Sequence, residues 1–307
     1  MSNEYASRIF LLLLGAEMNA LDKRCIRVER YVRKLRGGSQ PILVEGSDGL
    51  LYIVKFTNNL QGKNLPFNES MGTEVFKACT LPVPTWKPVF VTPEFVDQTP
   101  QCWMEAQGGK IRPEPGISFG SRFLGGPNIR LFEILPGTAF NRIQNRNCFW
   151  LAWVMDICCQ HTDNRQALFT ADNGGYTSWF IDMGHLFGGA AGDQNLRHFI
   201  QPRYLDPRIY ARMSKEEASL LLTTIRSINA ETLWRRAQAL PEDWVSASAL
   251  RAFSRGLDTL ANSDFVKKIL QVIVEAQVRQ EEGLPTDLLE AFMRSSLSTF
   301  IPRNTIT

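Results

Sequence analysis

The chain changes character near residue 128, and this change limits the folds that it can adopt. Before it, short β-rich runs alternate with Gly, Pro and Asn, whereas long apolar stretches at helical spacing follow it. Residues 41–45 and 50–56 read as two strands, and the Asp48-Gly49 turn between them supplies the positive φ that a tight hairpin requires. The sequence therefore predicts an α+β protein with a small antiparallel sheet followed by a larger helical part.

Length and charge limit the class of protein further. The 307 residues suffice for two domains of roughly 100–200 residues each. A hydrophobic fraction of 44% with 21% charged residues excludes a disordered chain, and a net charge of +3 is too weak to require nucleic acid or an anionic membrane. We expect an extension at 1–25, a β-rich N-lobe at 26–127, a helical C-lobe at 128–300 and a tail at 301–307.

The cysteines and the amino-terminal apolar run indicate a cytoplasmic protein without a membrane partner. The six cysteines include no C-x-x-C pair and are expected to be reduced core residues. The apolar run at residues 9–16 is shorter than the ~20 residues that span a bilayer. Glu4 and Glu17 flank this run, so an ordinary helix or extension is favoured over a signal peptide.

Periodicity and turn residues predict the remaining elements. In the first part we expect a helix over 68–79, ended by Pro82 and Pro84, strands at 88–91 and 119–124, and a loop at 107–116. In the second part we expect a buried helix over 149–159 and a hairpin of 167–169 with 179–181, followed by amphipathic helix from 215 to 298. The core candidates of that last stretch are Leu220, Leu221, Leu222, Leu233, Trp234, Leu250, Phe253, Leu257, Ile269 and Leu270.

Two features of the first part suit the binding of an anion. Gly37, Gly38 and Ser39 precede a strand, and glycines there allow backbone N–H groups to approach a phosphate, although the same residues also form plain turns. Lys55 lies within an apolar strand, so it either extends to solvent or pairs with an anionic group. Glu69 and Glu74, in the helix that follows, are both possible partners of this lysine.

Two acidic segments of the second part suit phosphoryl transfer. Asp163 precedes the predicted hairpin, and Asp182 follows it in the motif Asp182-Met183-Gly184. In phosphoryl transfer one carboxylate accepts the proton of the attacking hydroxyl while another holds Mg²⁺ against the nucleotide phosphates. The order of glycine-rich turn, strand lysine, helix glutamate and two aspartate loops is more specific than any one of these features.

In this order the chain resembles the HipA-like kinases, bacterial relatives of the Ser/Thr protein kinase of persistence toxin–antitoxin modules. The resemblance is co-linear over about residues 26–275. Its segments are residues 30–39, 49–56, Gln61-Gly62-Lys63, Asn68-Glu69, 81–84, 119–123, Leu135-Pro136, 163–166, 181–184 and 240–244.

The resemblance implies a two-lobed protein-kinase-like fold and an ATP-dependent transferase that phosphorylates a hydroxyl of an unidentified protein or small molecule. It implies that Lys55, paired with Glu69, contacts the phosphates of ATP near Gly37, Gly38 and Ser39. It also implies that Asp163 is the catalytic base, with Arg165 in the same catalytic loop. Asp182 would bind Mg²⁺, and Gln166 could supply a second oxygen ligand.

Departures from the family pattern leave other hypotheses open. Leu168 stands where the family commonly has a second metal-binding Asn, and His161 replaces an Asn two residues before Asp163. A catalytically weak pseudokinase that binds nucleotide or a partner protein is therefore the alternative. A zinc site of His161, Asp163, His185 and His198 is chemically possible but lacks a ligand spacing motif. The basic stretch of Arg27, Arg30, Arg33, Lys34 and Arg36 is interpreted as a solvated strand or loop face rather than a nucleic-acid contact.

Overall fold

The computed structural model describes residues 25–172, 174–191 and 203–282, and its first part contains a closed five-stranded barrel. The barrel strands, in the spatial order β1-β2-β3-β7-β4, are β1 (Ile26–Lys34), β2 (Ile42–Gly46), β3 (Leu51–Lys55), β4 (Trp86–Val91) and β7 (Gly116–Arg122). The predicted hairpin is confirmed, because β2 and β3 pair antiparallel with Glu45 opposite Leu51.

The sheet is not wholly antiparallel, which corrects the expectation from sequence. β1 and β4 pair in parallel, with Ile26 opposite Val89, and this pairing closes the barrel. β1 is the basic stretch noted above, and its pairing with β2 shifts register twice along its nine residues. Irregularities of this kind bend a strand and increase its twist, which lets one long strand pair with both neighbours.

Shorter strands complete the sheets. The hairpin of β5 (Met104–Ala106) and β6 (Gly109–Ile111) overlaps the segment predicted to be a loop, so that prediction was wrong in part. A separate three-stranded sheet contains β8 (Leu131–Phe132), β9 (Gln166–Asp172) and β10 (Gly175–Ile181), with β9 in the centre. The antiparallel pairing of β9 with β10 confirms the second predicted hairpin.

Seven α-helices lie within the described residues. They are α1 (Leu65–Ala78), α2 (Pro93–Gln98), α3 (Cys148–Cys158), α4 (Lys215–Arg226), α5 (Ala230–Gln238), α6 (Ala247–Ala261) and α7 (Ser263–Glu281). The amphipathic stretch predicted from residue 215 is thus four helices up to residue 281, and its remainder lies outside the described residues. Side-chain caps explain three of the helix starts, since Ser214, Asn229 and Ser246 each accept a backbone N–H of the following turn.

The helical part holds the larger hydrophobic core. Helix α1 belongs to this core through Phe67, Met71 and Val75, although the barrel strands flank it in sequence. The predicted core residues Leu233, Phe253, Leu257, Ile269 and Leu270 are buried. Leu220 is 65% exposed, so its assignment to the core was wrong, because each helical residue is rotated by about 100° from the last and three consecutive leucines do not share a face.

The cysteines are free thiols, as expected from the sequence. Cys79, Cys102, Cys158 and Cys159 are buried free thiols, and burial raises the pKa of Cys79 to about 12. Among the described residues, no helix has both the length and the apolar character needed to cross a membrane.

Candidate functional site

A cleft of about 1270 Å³ lies between the barrel and the three-stranded sheet, with walls formed by residues from both. The residues that line it include all nine to which the sequence assigns a role: Gly37, Gly38, Ser39, Lys55, Glu69, Asp163, Arg165, Gln166 and Asp182. Its volume exceeds the ~300–1,000 Å³ of ordinary ligand pockets, so it has room for more than one small ligand.

The glycine-rich segment forms the turn between β1 and β2 at one side of the cleft. Leu35 N–H donates to the carbonyl of Pro41 (2.8 Å) and Gln40 N–H donates to that of Gly37 (3.0 Å), which closes the turn. Gly37 has φ +128°, a conformation that favours glycine. The N–H groups of Gly38 and Ser39 donate no hydrogen bond within the described residues. Gly38 is exposed and its N–H is available to an anion, whereas Ser39 is buried.

Lys55 ends strand β3 and is held between two carboxylates. Its Nζ donates to Oε1 of Glu69 and, over 2.7 Å, to Oδ1 of Asp182. The side chain is buried, so the alternative in which this lysine extends to solvent was wrong. Burial alone would lower the pKa of Lys55, but the two carboxylates outweigh it and raise the pKa above its usual value. The ammonium group therefore stays charged.

Glu69 and not Glu74 pairs with the lysine. Glu69 is buried in α1 and also accepts the N–H groups of Met183 (3.2 Å) and Gly184 (3.0 Å). Burial and the nearby charge of Asp182 raise its pKa, and Lys55 with the backbone donors offsets part of this rise. Glu74 instead accepts the indole N–H of Trp86 (3.0 Å) and pairs with Arg236 on a different side of the helix.

Close packing fixes helix α1 against the loop that carries Asp182. The side-chain amide of Asn68 donates to the carbonyls of Gly184 (2.9 Å) and Leu186 (2.8 Å). A Cβ added to Gly72 would lie 2.6 Å from the Cβ of Met183, so the helix approaches the loop as closely as a glycine allows. Asn68 belongs to the Asn68-Glu69 motif, but its residue type and position in the sequence indicate no role for it.

Asp182 follows β10 in an uncommon backbone conformation. Its φ is +60°, in the left-handed region, and its Oδ2 accepts the side-chain amide of Gln166 (2.8 Å). Burial would raise the pKa of Asp182, but Lys55 holds this pKa well below its usual range, so the carboxylate is ionised. The ionised carboxylate of Asp182 is a hard oxygen donor that fits Mg²⁺, whereas Gln166 presents its amide N–H to that carboxylate.

Asp163 lies in the loop between α3 and β9. Its side chain is half-buried, and Oδ1 accepts the N–H of Asn164 over 2.7 Å. The other carboxylate oxygen accepts no hydrogen bond within the described residues. A carboxylate held on one side and open on the other suits the acceptance of a proton from a bound hydroxyl.

Arg165 contributes to the wall of the cleft, but its side chain is buried and its donors are directed at protein groups. It is 2% exposed, its Nε donates to Oδ2 of Asp156 (2.8 Å), and a terminal nitrogen donates to the carbonyl of Ile181 (2.7 Å). Sequence analysis did not identify Asp156. A signal was present, since Asp156 is the only charged residue in the otherwise apolar helix α3.

The two histidines of the described chain do not form a metal centre. His161 is fully buried, and burial together with Arg165 lowers its pKa well below the usual value, so it is neutral. His185 Nε2 lies 3.0 Å from Nε2 of Gln61. Within residues 25–172, 174–191 and 203–282 no three His, Cys, Asp or Glu side chains are grouped to hold a metal, and His198 lies outside these residues.

The architecture is a kinase-like fold, as comparison with solved structures shows. The chain is similar to the proinflammatory kinase CtkA of Helicobacter pylori, with a TM-score of 0.52 and 14% identity over 80% of this chain and 98% of that chain. The structure of hydra Fam20 with sugar gives a TM-score of 0.48 at 11% identity, over 85% of this chain and 89% of that one. The Golgi casein kinase gives a TM-score of 0.45 at 9% identity, over 81% of this chain and 71% of that chain. No protein-family model and no curated protein matches the chain.

Proposed function

We propose that the protein is an ATP-dependent kinase of HipA-like type that transfers the γ-phosphate of ATP to a hydroxyl of a protein or small molecule. The observation that carries the proposal is the position of Lys55, which is shared by Glu69 and Asp182 in a cleft that Asp163 also lines. In protein kinases a strand lysine paired with a helix glutamate, together with a metal-binding aspartate, must be in place for transfer. The resemblance extends the proposal to a bacterial, cytoplasmic kinase of toxin–antitoxin type.

The nucleotide would be held by groups on both sides of the cleft. The free N–H group of Gly38, beside Ser39, and the charged Lys55 would bind the phosphates. Asp182 would hold magnesium, and Gln166 would join it by turning its amide oxygen toward the ion, since this amide otherwise donates its N–H to Oδ2 of Asp182. When bound, magnesium would neutralise charge on the β- and γ-phosphates.

Asp163 would act as the base. Its open carboxylate oxygen would accept the proton of the acceptor hydroxyl while the hydroxyl oxygen forms a bond to the γ-phosphorus. The bond between the γ-phosphorus and the bridging oxygen of ADP breaks, and ADP leaves with that electron pair. Glu69 would act through Lys55, since it holds the lysine without lying near the acceptor.

The experiment compares wild type with Asp163→Asn. Wild type with Mg²⁺ and radiolabelled ATP is expected to transfer label to itself or to hydrolyse ATP. In the variant the rate of this reaction is expected to fall by about 100-fold or more. Both proteins should show the same thermal shift with ATP, because Asp163 does not hold the phosphates. Asp97→Asn is the matched control, since Asp97 pairs with Arg112 on the surface. If ATP produces no thermal shift in wild type, the proposal is wrong.

One observation favours a pseudokinase as the second candidate. Leu168, in the position of the family's second metal-binding Asn, is 9% exposed within β9. An apolar side chain supplies no metal ligand there. If wild type binds ATP but neither transfers phosphate nor hydrolyses ATP, the protein is a nucleotide-binding regulatory module.

A further inference from the structure

Asp156 and Arg165 form a buried ion pair behind the cleft. Asp156 lies in the last turn of α3 and is completely buried, and its Oδ2 accepts the Nε of Arg165 over 2.8 Å while Oδ1 accepts a terminal nitrogen. His161 Nδ1 lies 3.6 Å from the carboxylate, and the ring of Phe76 lies 4.9 Å from the guanidinium carbon. The kinase chemistry proposed above uses neither residue of this pair.

The remaining donors of Arg165 reach both sides of Asp182. One terminal nitrogen donates to the carbonyl of Ile181 (2.7 Å) and lies 3.3 Å from the sulfur of Met183. The Ile181 carbonyl is part of the peptide bond between Ile181 and Asp182, so Arg165 holds this segment directly. All three guanidinium nitrogens contact protein groups, which argues that Arg165 acts through the segment and does not bind a phosphate itself.

Asp182 has φ +60°, a left-handed conformation that costs free energy for residues other than glycine, though less for aspartate than for most, and the contacts of this segment offset that cost. Glu69 accepts the N–H groups of Met183 and Gly184 from the side of α1. Arg165 holds the preceding carbonyl from the side of α3. The backbone of Asp182 therefore lies between two sets of hydrogen bonds, each ending on a buried charged side chain.

Stability alone does not account for the pair. A buried ion pair loses the hydration of both charges, and well-packed apolar residues in its place are often as stable or more so. We propose that Asp156 and Arg165 are a positioning pair that holds Asp182 in the left-handed conformation in which its carboxylate lines the cleft. The part of this inference that concerns metal binding rests on the proposed function.

The first test needs no nucleotide and compares variants of the full chain by amide hydrogen exchange. In Arg165→Met the peptide covering residues 181–186 is expected to exchange at least 10-fold faster, because the support of the Ile181 carbonyl is lost. In Arg165→Lys the increase should be smaller, since one ammonium group still reaches this region. Arg146→Met is the matched control, because Arg146 also donates to backbone carbonyls, those of Ile209 and Arg208, but makes no contact with this segment.

The second test measures metal affinity. The protein is saturated with a non-hydrolysable ATP analogue and titrated with Mn²⁺, followed by electron paramagnetic resonance. Arg165→Met is expected to weaken Mn²⁺ binding at least 10-fold, with partial recovery in Arg165→Lys and no change in Arg146→Met. If the pair served only to stabilise the fold, variants with equal resistance to urea would bind Mn²⁺ with equal affinity. The graded recovery of Mn²⁺ binding would then not be seen.

The outcomes are distinct for the two proposals. If residues 181–186 of a folded Arg165→Met protein exchange as in wild type, the positioning role is overturned. If wild type binds no Mn²⁺ with the nucleotide analogue, the kinase proposal fails, while the exchange experiment still decides the role of the pair. Should Arg165→Met not fold, Asp156→Asn replaces it, because it keeps the shape of the side chain and removes the charge and one of the two acceptors of Arg165, with the same expected and contrary results.

Discussion

Lys55 Nζ lies 2.7 Å from Oδ1 of Asp182, although 127 residues separate the two in the chain. Glu69 completes the group from helix α1, so one ammonium charge is shared by two carboxylates that come from different elements. Because all three groups have little contact with water, removing Lys55 leaves both carboxylates without their counter-charge, whereas removing one carboxylate leaves the lysine paired with the other.

Lys55→Met leaves Glu69 and Asp182 without their counter-charge in a buried site. We expect the free energy of unfolding to fall by about 3–5 kcal/mol and the thermal shift with ATP to disappear. Urea denaturation and thermal shift measure the two effects. Lys63→Met is the control, since Lys63 is exposed, and it should change stability by less than about 0.5 kcal/mol. Equal stability of the two variants would contradict the prediction.

Glu69→Gln and Glu74→Gln compare two glutamates of one helix. Glu69 is buried and accepts hydrogen bonds from Lys55 and two backbone N–H groups, so its substitution is expected to destabilise by about 1–3 kcal/mol. Glu74 pairs with Arg236, which is half exposed. Glu74→Gln should therefore change the free energy of unfolding by no more than about 1 kcal/mol. The urea midpoints of the two variants measure these losses of stability. A larger loss for Glu74→Gln than for Glu69→Gln would contradict the role of Glu69.

Gly72→Ala is expected to destabilise, although alanine is usually favoured over glycine in a helix by about 1 kcal/mol. The new Cβ would lie 2.6 Å from Met183 Cβ and from Leu186 Cδ1, so α1 must move away from the Asp182 loop. We expect the free energy of unfolding to fall by about 1–3 kcal/mol and ATP to bind more weakly. Gly126→Ala, where no atom lies within 4 Å of the new Cβ, is the control. A more stable Gly72→Ala protein would show that the packing is looser than described.

The Lys55–Asp182 pair predicts a loss of stability in acid. Burial raises the pKa of Asp182, but Lys55 lowers it further, so the folded carboxylate binds a proton more weakly than the unfolded one at its usual pKa of about 3.9. The resulting stabilisation is present above that pKa and is lost as pH falls from about 5 towards the depressed folded value. Urea midpoints between pH 6 and pH 3 should fall more steeply for wild type than for Asp182→Asn, and parallel curves would refute the assignment.

Contiguous residues encode the local structure and the order of the site segments. The Asp48-Gly49 turn, the apolar stretch that forms α3 and the hairpin of β9 with β10 are encoded in contiguous residues, because backbone preference and hydrophobic period act over a few positions. The order of the segments, together with the family resemblance, pointed to nine residues that are among those lining the cleft.

Contacts between distant parts of the chain set which of these groups meet. Glu69 and Glu74 are five residues apart and lie on different sides of α1, and no local pattern states which side faces Lys55. The parallel pairing of β1 with β4, the exposure of Leu220 and the burial of Asp156 against Arg165 depend in the same way on distant parts of the chain. Packing among elements far apart in sequence sets these contacts, and the left-handed conformation of Asp182 exists where such contacts hold it.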